Sequence, residues 1–178
     1  MASFIRDGDP GCTADNWVRK QPYAAGPSAD PATFDPARLD FGNWADSFDA
    51  LGVRDAVMTA KHGCGFLLWP TATRLPDGSD YDYCVGKRRS SIKYDLIGAF
   101  AQAMAAREIS IGFYYSLTNN YFLNVAGKVA KNADGWLPGM ARNVTQAEFE
   151  RIALEQLTEL WTSYGNFSGE CSNARLGL

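Results

Sequence analysis

The sequence predicts an α/β chain in which parallel strands alternate with helices. Short apolar runs near 53–60 and 109–116 are separated by helical stretches with one apolar face. Links from helix to strand are only a residue or two, whereas the links that follow the strands are long. Parallel strands joined by right-handed crossovers put such long loops at the strand C-terminal ends. A (β/α)8 barrel and a doubly wound sheet both have this asymmetry. Neither strand is followed by a G-x-G-x-x-G or Walker-type loop, which counts against a nucleotide-binding sheet.

Composition bounds the function classes. The chain has 178 residues, 46% hydrophobic and 21% charged, with a formal net charge of −3. That is a folding composition, not a disordered one. A mild acidic balance and a single histidine argue against nucleic acid, which needs a basic face. No apolar run approaches the roughly 20 residues of a membrane span. Met1–Pro10 shows no apolar core of a signal peptide, so the sequence alone leaves localisation unknown.

Residues 1–35 read as an irregular leader or long loop, punctuated by Gly8, Pro10, Gly11, Pro22, Gly26, Pro27 and Pro31. Trp17, Tyr23 and Phe34 suggest that it packs on something. A first helix is expected from about Pro36 to Leu51, capped by Asp35. Phe41, Trp44, Phe48 and Leu51 form its apolar face, and Gly52 ends it. Val53–Ala60 reads as a buried strand with Val57 and Met58 in its middle and Lys61-His62 at its end. Residues 71–89 form a long loop with a turn at Pro76–Asp80.

A second helix is expected from Ser90 or Ser91 to about Arg107, and a second buried strand over Ile109–Ser116. After a long loop over 117–144, Thr145 and Glu148 make a capping box that opens a third helix ending at Gly165. A third strand would begin near 167. Cysteines at 12, 64, 84 and 171 have neither C-x-x-C spacing nor histidine partners, so no metal or other cofactor is expected. Free buried thiols and a disulfide of unknown pairing both remain open. Asn143-Val-Thr145 and Asn166-Phe-Ser168 are N-glycosylation triplets that permit a secretory context without showing one.

Thr59-Ala-Lys-His62, followed by Gly65-Phe66 and Trp69-Pro70, resembles the second-strand signature of the α-L-fucosidases, glycoside hydrolase family 29. Gly112-Phe-Tyr-Tyr-Ser116, Leu157-Thr-Glu-Leu160 with Tyr164-Gly165, and Phe34-Asp-Pro with Trp44 resemble further family segments. The likeness runs from about residue 10 to 170.

The resemblance implies a (β/α)8 TIM-type barrel that removes terminal α-L-fucose from glycans by a retaining mechanism. Two carboxylates about 5–5.5 Å apart then serve as nucleophile and acid/base. The family nucleophile is an Asp in a W-F-D-G strand end, and the acid/base Glu lies further on. Here Glu170 is followed by Cys171–Leu178, a divergent tail without Asp. The expectation is therefore residues 1–170 as about half a barrel, truncated before both catalytic groups. Such a barrel needs about 250 residues. This chain is expected to be inactive, and no catalytic residue is assigned.

The resemblance implies substrate-binding roles for four residues. His62, at a strand end, would hydrogen-bond a fucose hydroxyl. Tyr114 and Tyr115 end the second strand, where alternation lets one of them face the barrel mouth. Trp17 would offer an indole face to the sugar, beside Asn16 where the family has Glu. Gly63 and Cys64 replace the family's second His and its Asp. Trp69 reads as a core aromatic. Asp80, Asp82 and Asp134 are loop carboxylates that turn chemistry explains without catalysis.

The expected partner is a fucosylated glycan or free fucose, with self-association through open barrel edges. A non-catalytic fucose-binding remnant or a misread gene fragment are the alternatives.

Overall fold

The computed structural model describes residues 31–130 and 142–164. The expectations for residues 1–30 of the leader, for Asp134 and Asn166, and for the third strand and the tail lie outside the described residues, Asn16 and Trp17 included. At the end of the leader Pro31–Thr33 form a 3-10 turn and Phe34 packs on Phe66, ring centroids 5.9 Å apart.

Helix α1 spans Phe41–Ala50, strand β1 Asp55–Lys61, helix α2 Leu96–Ala105 and strand β2 Ser110–Tyr115. A 3-10 turn at Tyr121–Leu123 and a small antiparallel hairpin follow, β3 Val125–Ala126 with β4 Val129–Ala130. Helix α3 closes the described chain at Gln146–Ser163. β1 and β2 form a two-stranded parallel sheet joined through α2, and α1 packs beside α2.

Both of the first two helices start later than the sequence pattern suggests, and in each an aspartate sets the boundary. Asp40 caps α1 by accepting the Asn43 N–H at 3.0 Å, so Asp35 and Pro36 lie outside the helix. Asp95 caps α2 by accepting from Gly98 at 3.0 Å. Ser90 instead turns back on itself, its hydroxyl accepting from the Ile92 N–H at 3.1 Å. A carboxylate at a helix start satisfies an orphan N–H and also complements the positive end of the helix dipole. The capping box of α3 forms as read: Thr145 Oγ1 accepts from Glu148 N, and Glu148 accepts from Thr145 N at 2.7 Å.

The strand at 53–60 is not buried throughout. Ala56 and Ala60 face the core, but Val57 is 68% exposed. Val57 shares a face with Gly112, where a Cβ would meet its Cγ2 at 3.3 Å, and glycine covers little of it. Among the described residues β1 has a strand neighbour on one side only.

The 71–89 stretch is far less solvated than its polar look suggests. Thr71, Thr73 and Leu75 point inward at alternate positions, and Tyr81, Tyr83, Cys84 and Val85 are buried. Tyr83 stacks on Phe122 with ring centroids 4.9 Å apart, locking this loop to the one after β2. The core thus lies between the two loops as well as between sheet and helices.

Candidate sugar-binding site

The register of β1 against β2 fixes which side chains meet at the strand ends. Thr59 pairs with Tyr114, but Lys61 pairs with Tyr115, so Ala60 is an extra residue, a bulge. A bulge reverses the alternation of the residues beyond it. It turns Lys61 towards the helices and swings His62 onto the face that carries Tyr114. The two rings lie 6.0 Å apart with planes inclined at 35°. Both are half-buried and reachable from the sheet's C-terminal end.

Tyr115 goes the other way. It is 1% exposed, and its hydroxyl donates to Gln156 Oε1 on α3 at 2.7 Å. Burial pushes that hydroxyl well above the usual tyrosine range. Of the two tyrosines the sequence left open, Tyr114 stands beside His62 and Tyr115 belongs to the packing under α3.

Lys61 is fully buried beneath the pair. Its ammonium donates to Ser116 O at 2.5 Å and Asn119 O at 3.0 Å, and lies 4.4 Å from the Tyr115 ring centre. Among the described residues no carboxylate forms an ion pair with it. Burial lowers its pKa from 10.5 to about 7. His62 is also held below its ordinary value, first by partial burial and then by the positive charge of Lys61. A neutral imidazole has one donor and one acceptor nitrogen, which suits sugar hydroxyls that can take either role.

The loops on either side are tied together by backbone. Tyr121 N donates to Gly63 O at 2.9 Å and Phe122 N to Cys64 O at 3.2 Å. Tyr81 donates its hydroxyl to Gly65 O at 2.6 Å, while Asn120 Nδ2 reaches the same hydroxyl oxygen at 3.2 Å. Cys64 is disulfide-bonded, and Cys84 is a free buried thiol whose pKa burial raises to about 12.

Asp80 and Asp82 are engaged in ion pairs. Asp80 meets Lys87 at 3.2 Å and Arg74 at 4.0 Å, and Asp82 meets Arg89 at 3.6 Å. Among the described residues no group of three His, Cys, Asp or Glu side chains could hold a metal. No described helix is long and apolar enough to cross a membrane. A separate apolar cavity of about 530 Å3, lined by Phe34, Phe41, Trp44, Val57 and Phe100 among others, opens along the earlier part of β1.

Sequence reasoning missed Glu159. Its Oε2 accepts from Trp69 Nε1 at 2.8 Å and Thr71 Oγ1 at 2.6 Å, and its Oε1 from Ala72 N at 2.9 Å. Trp69 is the expected core aromatic at 1% exposure. An acidic residue on the half-buried side of α3, together with a core indole N–H that needs an acceptor, was the available signal.

A family model described as alpha-L-fucosidase matches residues 15–168. Alpha-L-fucosidase 1 of Arabidopsis thaliana is 26% identical over 165 residues, 93% of this chain and 26% of that protein. Tissue alpha-L-fucosidase of Rattus norvegicus is 40% identical over 74 residues, 42% of this chain and 14% of the relative. Among solved structures, the Thermotoga maritima alpha-fucosidase in complex with a mechanism-based inhibitor superposes with a TM-score of 0.51. It is 27% identical and covers 71% of this chain and 27% of its own.

The family model and the solved neighbours thus agree on one class of protein, the glycosidases. The chain belongs to the alpha-L-fucosidase family, glycoside hydrolase family 29. It spans about a quarter of the length of the curated plant relatives it matches.

Proposed function

We propose that this chain forms the sugar-orienting part of an α-L-fucosidase barrel acting on terminal α-L-fucose of glycans. Residues 1–170 would supply about half of the (β/α)8 barrel, and 171–178 a segment outside the family pattern. The observation that carries the reading is the His62–Tyr114 pair, set side by side by the β1 bulge in a chain of this family. His62 would hydrogen-bond a fucose hydroxyl, and Tyr114 would lie against the sugar ring. Trp17 is the third proposed contact, and Tyr115 would act only by supporting β2 from below.

Retaining hydrolysis needs a nucleophilic carboxylate and an acid/base about 5–5.5 Å apart. Asp80 pairs with Lys87 and Arg74, and Asp82 with Arg89, which favours structural roles for both. We therefore expect the 178-residue chain to bind L-fucose without releasing nitrophenol from a nitrophenyl α-L-fucoside. The side of β1 that has no strand neighbour among the described residues, with its apolar surroundings, would favour self-association.

Calorimetric titration with L-fucose, run beside the nitrophenyl assay, tests the reading. Saturable binding that His62→Ala abolishes supports it, and the absence of binding by a folded chain refutes it. Turnover would instead refute the expected inactivity.

A further inference from the structure

The triplet Asn143-Val144-Thr145 sits where the long loop after β2 meets the start of α3. Val144 is 3% exposed and anchors the segment, while Asn143 on one side of it is exposed. Asn124, itself 2% exposed, donates its side-chain N–H to Asn143 Oδ1. That contact uses the oxygen of the Asn143 amide and leaves its Nδ2 uncommitted on an exposed residue. Nδ2 donates no hydrogen bond among the described residues.

The residue that completes the triplet is held independently. Thr145 caps α3, its hydroxyl accepting from Glu148 N at 3.3 Å. A sugar on Nδ2 would thus project from a fixed loop end without disturbing the cap or the buried valine. Cys64 supplies a second, separate observation, since disulfide-bonded cysteines belong to oxidising compartments such as the secretory lumen.

We propose that Asn143 is an N-glycan acceptor. The donor is an oligosaccharide on a lipid-linked pyrophosphate, and the transfer is made by a lumenal transferase. A bond forms between the anomeric carbon of the oligosaccharide and Asn143 Nδ2. The bond from that carbon to the pyrophosphate oxygen breaks, the lipid pyrophosphate departs, and Nδ2 loses one proton. The remaining N–H and the oxygen stay available, so the contact with Asn124 survives modification.

The test is translation of the full chain, behind a cleavable secretion leader, in the presence of microsomes. Treatment with peptide N-glycosidase in 18O-labelled water follows, with peptide mass mapping. The expected result is 18O-labelled Asp at position 143, lost in Asn143→Gln and retained in Thr145→Ser, which keeps both triplet and cap. Mapping separates this site from Asn166. The glycosylated chain, secreted from yeast, should melt within a degree or so of the enzymatically deglycosylated one. An unmodified Asn143 in the translocated chain would overturn the proposal. So would a glycan at 143 that abolishes cooperative melting, because a glycan on a solvent-facing Nδ2 leaves the fold intact.

Discussion

Replacing Lys61 by Met removes a buried cation while keeping most of its volume, and the structure fixes the sign of the effect. Burial lowers the folded-state pKa to about 7, whereas the unfolded chain has the ordinary 10.5. Between those values the unfolded state binds more protons than the folded one, so stability rises with pH. This contribution is complete above 10.5 and is lost as pH falls towards 7. Each pH unit is worth about 1.4 kcal/mol, so from pH 7 to 9.5 Lys61 alone adds about 3 kcal/mol.

The Met variant lacks that slope. It also leaves Ser116 O and Asn119 O without their donor, a loss of about 2 kcal/mol for two bonds. Urea unfolding of both proteins across this range reads the difference directly, and titrations of other groups cancel. The native chain should be the less stable of the two near pH 7 and the more stable near pH 9.5. Parallel curves would refute the reasoning, since they would mean that Lys61 keeps its ordinary pKa in the folded chain.

Other consequences follow from single contacts. Gly65→Ala should destabilise by more than about 2 kcal/mol in thermal or urea unfolding, because φ is +87° and the new Cβ would meet Asn120 Oδ1 at 2.2 Å. Gly78→Ala, at φ +81° with open space around it, should cost only about 1 kcal/mol. Glu159→Ala strands the donors of Trp69, Thr71 and Ala72 and should cost about 3 kcal/mol, with a change in tryptophan fluorescence. His62 should titrate below 6.5 by NMR, and Lys61→Met should move its midpoint up because the charge of Lys61 is one of the causes that lower it.

Much of this fold can be read in the sequence. Alternation of helix and strand periods, the α3 capping box and the Thr59–Pro70 block are local patterns, and local patterns survive in one dimension. Helix starts at Asp40 and Asp95 were harder, because Asp35-Pro36 and Ser90-Ser91 offer equally good capping chemistry nearby. The bulge at Ala60 has no residue signature. It arises from pairing with β2, and it decides that His62 faces Tyr114 while Lys61 faces Tyr115. Likewise the polar sequence of 71–89 hides a stretch whose tyrosines pack on the loop after β2.

His62 is the chain's sole histidine, so its ring signals in an NMR spectrum need no assignment. Titrating the chain with L-fucose, and separately with D-glucose, tests the proposed role of the strand-end pair most directly. A saturable shift of the His62 ring resonances with L-fucose, weakened by Tyr114→Ala and absent with D-glucose, is expected. Unmoved His62 resonances at saturating L-fucose in a folded chain would contradict it.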